Sequence, residues 1–98
     1  MSKQSLKEKS LKEAAKKELA RMKEVFSKLH VEDKNLAKEF YIFAKSYLDG
    51  GLWLFEKKKY LEAFESAIIA WSYIDAGLKL NFFKVPEELS KYFTFSTK

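Results

Sequence analysis

The sequence predicts an all-α protein: an up-and-down three-helix bundle with a short C-terminal helix and an extended tail. Two observations carry that expectation. The 98 residues hold one proline and three glycines, so little interrupts helix propagation. Apolar residues also recur at three- and four-residue spacing through three long segments. The length sets a single domain over 1–98. A chain of this size buries roughly 60–68% of its unfolded surface and folds without staples.

The first segment runs from about Ser2 to Leu29. SLKE occurs at 5–8 and again at 10–13, and each copy has the Ser-x-x-Glu form of a capping box. Leu11, Ala15, Leu19, Met22, Phe26 and Leu29 form a narrow apolar stripe. Glu13/Lys17 and Glu24/Lys28 are spaced for i,i+4 pairing. Residues 1–9 are expected to fray. LHVEDKN reads as a loop, with Asp33 as N-cap of the next helix.

The second segment spans about 33–57 and contains the turn-like Asp49-Gly50-Gly51. Its main stripe is Leu36, Phe40, Phe43, Tyr47, Gly51 and Leu54. A flanking row adds Ala37, Tyr41, Ala44, Leu48, Leu52 and Phe55. Both rows keep phase through the two glycines, which predicts one continuous helix. Gly51 falls on the stripe and makes room for a bulky neighbour, with Trp71 the expected one.

The lysine-dense EKKKY suits a helix C-terminus and places the second turn. The third segment covers about 60–82. Its apolar arc is Tyr60, Ala63, Phe64, Ala67, Ile68, Trp71, Ile74 and Leu78, wide enough for the most buried helix. Asn81 ends it. Pro86 with Glu87 and Glu88 opens a short helix. The tail, 84–98, is expected to pack on the bundle, with Phe93 and Phe95 alternating about Thr94.

From Tyr47 onward the chain resembles a small, mainly archaeal family, domain of unknown function 357. The resemblance rests on Tyr47, on KKYLEAF, on the Ala67–Gly77 run AIIAWSYIDAG, and on Val85-Pro86 with a late aromatic pair. It covers about half the chain. The family's second turn usually carries Gly-Asp, and this chain departs there with Lys58-Lys59. The resemblance implies a three-helix bundle and no activity.

Composition bounds the function. Hydrophobic residues make up 47% and aromatics 16%, as in a globular chain. With no cysteine there is no disulfide, thiolate metal site or thiol nucleophile, which fits a cytoplasmic protein. The first residues are polar and the apolar runs are too short to span a bilayer, so no membrane role is expected. A lysine- and glutamate-rich, amide-poor composition has the direction of heat-adapted proteins.

No pattern for catalysis emerges, and the chain is expected not to be an enzyme and to hold no cofactor. His30 with Glu32 and Asp33 is a poor metal set: one imidazole and two loop carboxylates. Asp75, at the margin of the apolar arc, is read as a structural polar residue that pairs with Lys79 or a tyrosine of the second helix. The net charge of +5 is concentrated in the first segment. Lys9, Lys12, Lys16, Lys17, Arg21 and Lys23 form a basic face for nucleic acid. Interleaved glutamates and the absence of stacking aromatics favour a solvated surface instead.

Two apolar features remain unburied on a helical wheel. Ile42 and Trp53 lie on the outer row of the second helix, and Ile69, Tyr73, Ala76 and Leu80 form a second stripe on the third. Such surface is usually covered, either by the tail, within its subunit or swapped to another, or by a partner. The leading expectation is a protein–protein interaction or homodimerisation module. The alternative is a nucleic-acid-associated protein using the first helix, and a ligand site under the tail is a third class.

Overall fold

The computed structural model describes residues 2–93, with side chains from Glu8 onward. Phe95 and the rest of 94–98 lie outside the described residues, as does Met1 among the positions expected to fray. The fold is an all-α bundle of three long helices: α1 (Ser2–Lys28), α2 (Asn35–Glu56) and α3 (Tyr60–Lys79). Two short strands, β1 (His30–Val31) and β2 (Phe83–Lys84), and the short helix α4 (Glu87–Ser90) complete it.

Helix α2 is continuous across Gly50-Gly51, as the phase of its apolar rows requires. The neighbours of Gly51 differ from expectation. A Cβ there would lie 3.0 Å from Leu19 Cδ2, 3.3 Å from Ser66 Cβ and 3.4 Å from the Ala63 carbonyl oxygen. The glycine therefore admits α1 and the backbone of α3, not Trp71. Gly50 faces open space.

Both helix exits end the same way. Lys58 and Asn81 adopt left-handed φ of 64° and 63°. Lys59 N–H donates to Leu54 O at 3.0 Å and Lys58 N–H to Phe55 O at 2.9 Å. Phe82 N–H donates to Gly77 O at 2.8 Å and Asn81 N–H to Leu78 O at 3.1 Å. These are two Schellman motifs, which satisfy the last orphan carbonyls of each helix. Asn81 is a favoured residue there. Lys58 is not, because a Cβ is crowded in that conformation.

The expected loop between α1 and α2 holds a small antiparallel pairing, with His30 opposite Lys84 and Val31 opposite Phe83. It ties the start of the tail to the end of α1. Asp33 is not the N-cap of α2. That position is Lys34, with no side-chain cap, and Asp33 instead pairs with Lys38 at 2.9 Å. Neither expected α1 ion pair closes among the described residues. Lys28 turns to Glu88 at 2.8 Å, and Glu24 accepts from Tyr92 Oη at 3.3 Å.

Helix α3 is central and packs on both α1 and α2. The core is rich in small residues: Ala15, Ala44, Ala63, Ala67 and Ala70 are fully buried, beside Met22, Val25 and Ile74. Gly77 lies directly under the Phe83 ring. On α2 the flanking row supplies most of the buried positions. Ala37, Ala44 and Leu48 are buried, as is Gly51 of the expected main stripe, whereas Leu36, Phe43 and Tyr47 of that stripe are exposed. Small side chains let helix axes approach, so the alanine row takes the closest contact and the bulky row moves to the flank. On α3, Ile68 is likewise exposed, while Ala70 and Gly77 are buried.

Candidate functional site

Two surfaces flank α3. The first is the groove it forms with α2. Tyr73 is its centre. Its ring stacks on Phe43 at 5.6 Å and Tyr47 at 6.0 Å and meets Phe40 edge-on at 5.9 Å. Phe43 is nevertheless 50% exposed and Leu36 52%. Ile69 and Leu80 lie on the same side of α3 and are also exposed. At about 100° per residue, Leu36, Phe43 and Tyr47 share one flank of α2. Ile69, Tyr73, Ala76 and Leu80 share one flank of α3. With Phe40 counted in the first, each set repeats at alternating three- and four-residue spacing, the seam of helix–helix packing.

The structure thus joins Ile69, Tyr73 and Leu80 to α2 residues that the sequence assigned to the core. Ile42 and Trp53 stand apart on the outward row of α2. Trp53 is 57% exposed, with Lys57 Nζ 5.5 Å from its ring centroid. The described part of the tail, 84–93, does not cover the second stripe of α3; it packs on the opposite flank, between α3 and α1.

That opposite flank is the second surface. Trp71 meets Phe93 at 4.7 Å and Tyr92 at 6.0 Å. Its indole N–H donates to Glu18 Oε1 at 2.9 Å. Arg21 lies 3.6 Å from Glu18 Oε2 and 5.2 Å over the Tyr92 ring. A cleft of about 320 Å³ remains between these groups, and Asp75 lines it. Oδ1 of Asp75 is buried and accepts no hydrogen bond among the described residues, so neither Lys79 nor a tyrosine of α2 satisfies it. The sequence put Arg21 on the basic face and Asp75 at the margin of the apolar arc. It had no signal that the tail would bring Tyr92 and Phe93 over them.

The basic residues of α1 do not share one face. At the same angular step, Lys9, Lys12, Lys16 and Lys23 follow the side toward α2, whereas Lys17 and Arg21 follow the side toward the tail. Lys9 and Lys12 gather with Lys58 and Tyr60 in a shallow dent that Glu8 and Glu13 also line. Lys12 Nζ lies 5.9 Å from the Tyr60 ring centroid. His30 Nε2 contacts Glu32 Oε2 at 3.2 Å, while Asp33 is turned away to Lys38. Among the described residues, no three histidine, cysteine or acidic side chains gather as a metal set. None of the described helices is long and apolar enough to cross a membrane.

No family model and no curated protein matches the chain. Among solved structures it is similar to the crystal structure of protein AF1782 from Archaeoglobus fulgidus, which carries the DUF357 family model. The TM-score is 0.71 at 22% identity, over 81% of this chain and 97% of that one. At that identity the likeness establishes the fold, and the fold is the one implied by the resemblance from Tyr47 onward.

Proposed function

We propose that this protein is a non-enzymatic helical interaction module that pairs with a second copy of itself through the α2–α3 face. One observation carries the reading: Phe43, half exposed, stacked on Tyr73 beside Tyr47. Exposed aromatics of this kind lose water only when another surface covers them. The occupant is a second copy because the two stripes are adjacent, apolar and helical. A two-fold axis would set α2 of one copy against α3 of the other, the self-complementary arrangement a closed dimer needs. The heptad-like spacing of both stripes suits that packing.

The test is mass in solution over a range of concentrations, for the native chain and for a Phe43→Glu, Ile69→Glu double variant. A dimer is expected, insensitive to salt and broken by the double variant while helicity persists. A monomer at high concentration overturns the reading. Dissociation by Trp53→Ser but not by the double variant would move the interface to the Ile42–Trp53 row.

Nucleic-acid association is the second reading. It is favoured by Lys9, Lys12 and Lys58 converging from two elements beside Tyr60. RNA anisotropy titrations decide it. Affinity that falls steeply with salt and is lost when Lys12, Lys16 and Lys23 are neutralised supports this reading. Unchanged stability with no affinity assigns these lysines to a solvated surface.

A further inference from the structure

We propose that the cleft under the tail is a binding site for a small organic ammonium compound with an apolar body. The argument begins with what is already satisfied. Glu18 is fully engaged: one oxygen takes the Trp71 indole N–H at 2.9 Å and the other faces Arg21 at 3.6 Å. Arg21 is held in turn over the Tyr92 ring. Asp75 is the group left over. Its Oδ1 is buried without a donor, which costs free energy until a donor arrives. The adjoining space of about 320 Å³ lies at the lower end of small-molecule sites, roughly 300–1,000 Å³.

The chemistry of the walls selects the ligand. Two carboxylates and one guanidinium line the cleft, so the site favours a cation in a chain that is otherwise basic. A charged donor makes a stronger hydrogen bond to a carboxylate than a neutral one. The half-buried Trp71 ring attracts an ammonium group or packs its hydrocarbon body. The ammonium pairs with the Asp75 carboxylate, and the alkyl or aryl part lies against Trp71.

Hexylamine is a suitable probe, with 1-hexanol as its uncharged counterpart. In a Trp53→Phe background Trp71 is the sole tryptophan, so its fluorescence reports the cleft directly. Hexylamine is expected to change that fluorescence saturably. Hexanol, and hexylamine with the Asp75→Asn variant, are each expected to bind roughly tenfold or more weakly, the loss of one charge-assisted hydrogen bond. Calorimetry on the native chain checks the affinity, and a melting curve checks that Asp75→Asn is folded. The alcohol comparison needs no variant at Asp75 and stands if that variant fails. Absence of saturation, equal binding by the alcohol, or an unchanged affinity in Asp75→Asn overturns the proposal. So does amine binding that is seen only after residues 94–98 are removed, which would assign the cleft to the chain's own C-terminal segment.

Discussion

On one flank of α3, Trp71 is enclosed by Phe93, Tyr92 and α1, and Leu89 and Phe93 are buried to within 1–2%. On the other flank, Tyr73 gathers three α2 aromatics, yet Phe43 remains 50% exposed. Both flanks present large rings at helical spacing. The difference is that the chain returns over the first, held by the β1–β2 pairing and the Lys28–Glu88 contact, and nothing among the described residues returns over the second. An apolar stripe on a helix therefore does not declare whether it belongs to the core. What passes over it decides that.

The largest test of this contrast sets the two flanks against each other. Phe93→Ala should destabilise by about 3–5 kcal/mol, the cost of emptying a buried aromatic site. Phe43→Ala should cost about 1 kcal/mol of monomer stability, the value of its ring stacking. Denaturant unfolding at low protein concentration measures both. Equal losses would show that the α2–α3 face is as structural as the tail.

Overpacking sharpens the picture on the covered side. Gly77→Ala would drive a Cβ into the Phe83 ring, and Gly51→Leu would crowd Leu19 and the α3 backbone. Each should lower stability by about 1–3 kcal/mol, read as a fall in melting temperature. A neutral Gly51→Leu would mean that the α2–α3 crossing is looser than its 3.0–3.4 Å neighbours imply.

The open side responds in the opposite sense. Gly50→Ala meets nothing and gains helix propensity, so it should stabilise by about 0.5–1 kcal/mol. Lys58→Gly should raise stability by a similar 0.5–1 kcal/mol by relieving the left-handed conformation at the α2 exit. Circular dichroism melts of the two single variants and the double test whether these gains add, as they should for separate sites.

The smallest effect lies at the tie between α1 and the tail. A hydrogen bond from Lys28, and then its charge, hold the Glu88 carboxyl below its ordinary 4.5. The same hydrogen bond and charge raise Lys28 above 10.5. The contribution is therefore complete between those two ordinary values. It is lost as pH falls through the lowered Glu88 pKa or rises through the raised Lys28 pKa. Both groups are exposed, so Glu88→Gln should shift the melting temperature only slightly at neutral pH and not at all in high salt. A large shift would show that the tail depends on this pair more than on Leu89 and Phe93.

Much of this molecule was determined by its sequence. The period of the apolar residues fixed three long helices, the continuity of α2 through Gly50-Gly51, the exit at Asn81 and the short helix after Pro86. These are local matters, set by spacing, propensity and turn chemistry within a few residues. Tertiary structure alone decided which apolar row of α2 is core, where the tail lies, that Lys28 leaves Glu24 for Glu88, and that Asp75 borders a cleft. Leu36, Phe43 and Tyr47 are as hydrophobic as any core residue, and periodicity could not demote them. They were displaced because alanine and glycine let α2 approach α3 more closely than rings allow, and close packing favours the nearer approach.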